Sequence, residues 1–139
     1  EFAFWKNRVS DKSVGQVFKD SAKPVFNAGP VGLVATDYQV ALWVSLVPIP
    51  GLTPGHVRVL ISSQGEKALT TGDFFHHRCQ IAYPDWCANV DEDSTRTEQT
   101  WLEMFQHFAD TSTLIIGTHL AMPTVGRLAT DGDPYLLDI

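Results

Sequence analysis

Apolar residues recur along this chain in two different rhythms, and the change between them marks its elements. Val57, Val59 and Ile61 alternate with Arg58, Leu60 and Ser62, the period of a strand. Ser63-Gln64-Gly65-Glu66 reads as a turn, and Lys67–Thr71 as a second strand ending in Gly72-Asp73. A hairpin is therefore predicted. Over Asp91–Asp110 the rhythm lengthens. Trp101, Met104, Phe105 and Phe108 fall at i, i+3, i+4 and i+7, one apolar face of a helix packed on a core. Thr95 and Glu98 fit a capping box, and Asp91, Glu92 and Asp93 lie at the positive end of the helix dipole.

The other segments are weaker in pattern. Residues from Ser13 to Ala22 show helical spacing, which Pro24 is expected to end or bend. Gly29-Pro30 is a break. Val31, Leu33, Val34, Val40, Leu42, Val44 and Leu46 alternate in part, which predicts two strands with a turn at Asp37. Pro48–His56 contains Pro48, Pro50, Pro54, Gly51 and Gly55 and has to be a shaped loop, since prolines remove donors and glycines admit unusual dihedrals. Phe74–Asn89 is a long irregular stretch rich in aromatic and histidine residues. Thr113–Gly117 reads as a short buried strand ending at Thr118-His119. Gly126–Ala129 and Tyr135–Ile139 read as strands around the hairpin signal Asp131-Gly132. The expected organisation is a single domain over 1–139, with a helical lead-in over 1–30 and sheet and helices over 31–139.

With 139 residues, 44% hydrophobic and 19% charged, the chain is long enough for one domain with a core of its own. Its formal charge of −6 argues against nucleic acid or an anionic membrane as partner, because no Lys/Arg excess is available to neutralise phosphates. The basic spots Lys6, Arg8, Lys12 and Lys19 are interrupted by Asp11 and Asp20. No apolar run approaches the roughly 18 residues of a membrane span, and no signal peptide is visible at Glu1-Phe2-Ala3-Phe4-Trp5. A chain opening on Glu is expected to be trimmed or processed. Cys79 and Cys87 lack CxxC spacing; free thiols are favoured over a disulfide, which points to a reducing, cytoplasmic compartment.

His56 directly precedes a predicted strand, whereas Asp73 and His119 each follow one. Ligand-binding groups gather at strand ends in α/β sheets. Imidazole and carboxylate together suit zinc, manganese, iron or cobalt, and a carboxylate between two imidazoles can bridge two ions. The same residues at strand ends also serve as caps and turns, so spacing leaves both readings open.

Pro50-Gly51-Leu52-Thr53-Pro54-Gly55-His56 resembles the PGHTPGH loop of the metallo-β-lactamase superfamily, with Leu52 in place of the first His. Val57–Ile61 followed by Gly72-Asp73 resembles that family's hairpin with its bridging aspartate. Ile116-Gly117-Thr118-His119-Leu120, then Pro123 and Gly126-Arg127-Leu128, resembles the segment bearing its last histidine. Phe75–Gln80 and Pro84-Asp85-Trp86 are similar to the branch of methyl parathion hydrolase and lactonase-like enzymes. The resemblance implies an α/β fold, the C-terminal αβ half of an αββα sandwich, with a mixed sheet and helices on one face.

It further implies metal ligands His56, Asp73 and His119, with Asp73 the bridging, catalytic carboxylate between two zinc or other divalent transition-metal ions. His76, His77, Phe75 and Trp86 would line a small-molecule substrate site. Surface or packing histidines remain the plainer reading of His76 and His77, and core packing is an equal alternative for Phe75 and Trp86. The family's HxHxDH motif is not in this chain, so each ion would keep two protein ligands here. The open sheet face would pair with the missing N-terminal half or with a second copy as a homodimer. Two functions are expected as alternatives. One is part of a metal-dependent hydrolase acting on an ester, lactone or phosphotriester; the other is a non-catalytic binding or dimerisation module.

Overall fold

The computed structural model describes residues 1–11 and 15–139 and divides into two units, Glu1–Ala35 and Thr36–Ile139. In the first unit, α1 spans Phe2–Asn7, and α2 (Gly15–Val17) runs through a π-helical stretch, Phe18–Ala22, into α3 (Lys23–Ala28). Of the helix expected from Ser13, Ser13 and Val14 lie outside the described residues, as does Lys12. Pro24 does not end the helical run. It falls in the first turn of α3, directly after the π-helical stretch in which the Lys23 N–H bonds to the Phe18 carbonyl. The Phe2 ring stacks on Phe26 at 4.7 Å and meets Phe18 at 5.4 Å, giving this unit its apolar centre.

The second unit is built on a sheet whose seven described strands lie side by side in chain order. These are β1 (Gln39–Ala41), β2 (Val44–Pro48), β3 (Val57–Ser63), β4 (Glu66–Thr70), β5 (Leu114–Ile116), β6 (Val125–Thr130) and β7 (Tyr135–Asp138). Neighbours are antiparallel except β4 and β5, which are parallel. A parallel pair needs a long crossover, and that connection carries α4 (Cys79–Ala82) and α5 (Ser94–Phe108). The β3–β4 turn uses Gln64 and Gly65 at φ 53° and 84°, the left-handed pair that suits a tight hairpin.

The strands expected across Val31–Val47 are displaced. No strand covers residues 31–36, and the reversal falls at Leu42-Trp43 instead of Asp37. Val31, Leu33 and Val34 are exposed, so their alternation has no buried face to select a register.

Helix α5 starts three residues later than expected. Its N-cap is Asp93, whose carboxylate accepts the Arg96 N–H at 2.9 Å, rather than the Thr95–Glu98 box. Asp93 has extended backbone, the conformation an N-cap requires. The stripe Trp101, Met104, Phe105 and Phe108 is buried against Leu69, Ile115 and Leu128, each such side chain contributing roughly 1.5–3 kcal/mol of transfer free energy. Beyond the helix, Asp110 at φ 58° accepts the Thr130 N–H at 3.1 Å and hydroxyl at 2.8 Å, tying the helix end to β6.

Alternation along the strands sends Leu60, Leu69, Ile115 and Leu128 to the helix side. Val44, Val59, Ile61, Leu114 and Ile116 go to the other face, and none of these joins the core. Arg58 is also on the helix side, with its guanidinium carbon 5.2 Å from the centre of the Phe108 ring. Burial lowers its pKa to about 10, with Glu103 opposing the shift.

Candidate functional site

Strand direction brings three of the sequence candidates together. His56 immediately precedes β3, which is antiparallel to β4, so the start of β3 and the end of β4 share one edge. β4 is parallel to β5, so their ends also share that edge, with Thr70 opposite Ile116. Thr71, fully buried, donates its N–H to the Ile116 carbonyl at 3.0 Å and extends the pairing to the residue before Gly72-Asp73. His56, Asp73 and His119 consequently meet, though they come from separate parts of the chain.

His119 Nε2 lies 2.8 Å from Asp73 Oδ1, and the Asp73 N–H points to His56 Nε2 at 3.4 Å. The His119 and Asp73 side chains stay about half exposed, at 43% and 53%. Gly72 permits the close approach. Its φ is +54°, and a Cβ there would stand 2.7 Å from His56 Nε2, far inside van der Waals contact.

The Pro/Gly loop that delivers His56 is fastened to the start of α5. Thr100 Oγ1 donates to the Pro50 carbonyl at 2.8 Å, and the N–H groups of Glu92 and Asp93 donate to the carbonyls of Leu52 and Gly51 at 3.1 and 3.0 Å. Gly51, at φ +143°, approaches Thr97 so closely that a Cβ would be 2.4 Å from its Oγ1.

The other expected site residues separate. The His76 ring stacks on His119 with centroids 4.7 Å apart and planes 18° apart, so it joins the cluster. His77 turns away, its Nδ1 accepting the Cys79 N–H at 3.2 Å. Phe75 has no exposed surface. Its ring lies in the core beside Phe74, Trp101 and Phe105 and lines no substrate wall here, because the α5 stripe supplies it a dry apolar partner. Trp86 is 55% exposed and stacks on Tyr83 at 4.6 Å. Cys79 and Cys87 are free thiols, and burial raises the Cys87 pKa, with Asp91 adding to the rise.

Three further residues organise the cluster in roles that no sequence pattern marks. Gln80, buried, accepts the N–H groups of His76 and His77 at 2.7 and 2.9 Å and donates to the Trp86 carbonyl at 2.9 Å. Arg78 reaches the carbonyls of Ala121 and Pro123, joining the His76 loop to the His119 loop. Asp91 was expected within the helix; it precedes the helix, and its carboxylate accepts the Ala88 N–H at 2.9 Å. Burial raises its pKa, while that hydrogen bond and the nearby His76 and His56 work against the rise. A polar side chain in an irregular segment looks solvated on paper, so none of these roles has a periodic signature.

The donor chemistry of the cluster, two imidazoles and a carboxylate, is that of a divalent transition-metal site. Its completeness is not. Among the described residues no group of three or more His, Cys, Asp or Glu is disposed to hold an ion. The donors stand in contacting pairs and would not fill a first shell on their own.

No protein-family model matches the chain, and no curated protein matches it. Solved structures do. AidC, a dizinc quorum-quenching lactonase in complex with a product, aligns with TM-score 0.78 and 18% identity over 99% of this chain and 48% of its own. The hydrolase AbOPH, of the beta lactamase superfamily, aligns with TM-score 0.67 and 26% identity over 74% of this chain and 36% of its own. A probable metal-dependent hydrolase from Staphylococcus aureus gives TM-score 0.62 and 22% identity over 72% and 37%. The chain is thus structurally similar to metallo-β-lactamase superfamily hydrolases and lactonases, and its α/β fold with a mixed sheet matches half of that fold. It spans less than half the length of each of these three structures. No helix among the described residues is long and apolar enough to cross a membrane.

Proposed function

We propose that the chain is part of a metal-dependent hydrolase of the lactonase-like branch, acting on a lactone, ester or phosphotriester. His56, Asp73 and His119 would supply part of the ligand set, and the remaining donors would come from outside the residues described. The observation that carries this reading is the convergence at one sheet edge, with Asp73 Oδ1 2.8 Å from His119 Nε2 and the Asp73 N–H facing His56. Divalent ions in hydrolytic sites polarise the scissile group and lower the pKa of a bound water. The chain's own residues orient one another: Asp73 fixes the His119 ring, and His76 stacks on its face. The stacked, exposed Tyr83 and Trp86 offer an apolar surface to a substrate tail.

The test is a zinc titration of the purified chain followed through its imidazole ring resonances. The expected result is that the rings of His56 and His119 respond together and that Asp73→Asn weakens binding at least about tenfold. Zinc that perturbs neither ring, or that binds Asp73→Asn and His119→Ala as it binds the parent chain, would overturn the reading. The incomplete donor set favours one alternative, a non-catalytic binding or dimerisation module using the sheet face of Val59, Ile61, Leu114 and Ile116. That alternative predicts self-association by sedimentation with no response to zinc.

A further inference from the structure

Arg78 spans the gap between the two loops that carry the stacked imidazoles. It stands two residues after His76, and its Nη2 donates to the Ala121 carbonyl at 3.1 Å and to the Pro123 carbonyl, just beyond His119 in the chain. Among the described residues no other hydrogen bond joins residues 76–82 to residues 118–124. Both accepting carbonyls lie in an exposed segment outside any strand, where no ladder pairs them. A guanidinium suits this duty. It keeps its charge at any ordinary pH, and charge-assisted hydrogen bonds are roughly twice as strong as neutral ones. Gln80 shapes the His76 segment from within, but its side chain bonds only His76, His77 and Trp86 and does not reach the His119 loop.

We propose that Arg78 is a positioning residue for the candidate site, setting His76 over the His119 ring by clamping one loop to the other. His119 follows β5 outside any helix or strand, and its side chain is about half exposed. Its contact with Asp73 Oδ1 at 2.8 Å fixes one ring atom and leaves the ring plane free to swing about that point. The His76 ring, 4.7 Å away and 18° from parallel, fixes the plane. An imidazole ligates through a nitrogen lone pair lying in its own plane, so the groups that orient the ring also tune metal affinity. Arg78 acts through His76 and takes no part in the chemistry. Its consequence for metal binding rests on the function proposed above; the ring placement does not.

The experiment is nuclear magnetic resonance of the full chain, first with chelator and then with zinc, on the parent, Arg78→Met and Arg78→Lys. In chelator the parent is expected to show Overhauser contacts between the His76 and His119 rings. Arg78→Met should lose them, and Arg78→Lys should keep them in part, because an ammonium can still reach one carbonyl. A role in stability alone would lower the melting temperature and leave the ring contacts intact. With zinc, Arg78→Met should bind about tenfold more weakly than the parent. Ring contacts unchanged in Arg78→Met would overturn the proposal, since burial of Phe75 and Leu120 would then suffice to place the two loops. Equal zinc affinity in the parent and Arg78→Met would also sink it. A parent chain that takes up no zinc counts against the proposed function, and the ring contacts then decide the positioning role by themselves. If Arg78→Met does not fold, the parent's guanidinium decides: Nη2 protons held by two carbonyls exchange slowly with water, and fast exchange refutes the clamp.

Discussion

Replacing Gln80 by Met tests whether the loop over the cluster is held by one buried amide. Gln80 is 6% exposed, and its side chain makes three hydrogen bonds, at 2.7 Å to the His76 N–H, 2.9 Å to the His77 N–H and 2.9 Å to the Trp86 carbonyl. Met matches the length and apolar bulk of the side chain but offers neither acceptor nor donor. A buried group left without its partner costs about 1–3 kcal/mol. His77 and Trp86 are exposed, so water can reach parts of both and their share falls at the low end, whereas the half-buried His76 bears the larger one. The sum is about 2–4 kcal/mol of unfolding free energy.

Urea denaturation with an unchanged slope is the assay, because an altered slope would mean a changed unfolded state. Gln80→Glu is the control. It keeps an acceptor for both N–H groups but sets a carboxylate against the Trp86 carbonyl, so its loss should be smaller if the acceptor role dominates. The His119 ring resonances provide a second readout, since His76 stacks on that ring. A Gln80→Met chain within about 0.5 kcal/mol of the parent would refute the reasoning. Lost stability with an unmoved His119 ring would reduce Gln80 to a purely structural role.

Other perturbations give distinct expectations. Trp101→Ala, at a fully buried site meeting Phe74 at 5.7 Å, should cost about 3–5 kcal/mol. Trp101→Phe should cost markedly less, because the buried indole N–H has no acceptor among the described residues and no hydrogen bond is lost; chemical denaturation of the two variants checks the order. Asp110, its pKa lowered by the Thr130 hydrogen bonds, contributes stability that is present above its unfolded pKa and lost as pH falls through the folded one. Asp110→Asn should flatten that acid limb in a circular-dichroism pH titration. Asp91 has the opposite sign. Burial raises its pKa, so ionisation opposes folding above the folded pKa, and the penalty lifts as pH falls through it. Asp91→Asn should therefore be no less stable than the parent near neutrality, and a clear loss there would mean that attraction to His56 and His76 outweighs desolvation.

The parts of this structure legible in the sequence are those with local causes. The α5 stripe follows from its 3.6-residue period, and the β3–β4 hairpin from alternation around Gln64-Gly65. Placing His56 and Asp73 at strand ends required only the boundaries of that hairpin, and placing His119 the end of the short apolar run Thr113–Gly117. Register and neighbours were another matter. Parallel pairing of β4 with β5 joins residues 46 positions apart, such as Ala68 and Leu114, and nothing local encodes it. The same limit explains the strand expected between Val31 and the turn at Asp37, where none forms. Alternation predicts a strand only where a second surface buries one set of side chains, and these residues are exposed.

The run Phe74-Phe75-His76-His77 shows most sharply where local reading ends. Two aromatics and two imidazoles in succession offer identical chemistry on paper, yet each takes a different environment. Both phenyl rings go to the Trp101 side, where dispersion and dry burial favour them. Gln80 then gathers the two following N–H groups on one oxygen, which turns the backbone and directs the His76 ring over His119 and the His77 ring toward Cys79. The division of labour within the run thus follows from α5 on one side and a single amide on the other. Residue type narrowed the candidates for the site, but the packing of the helix selected which imidazole reaches it.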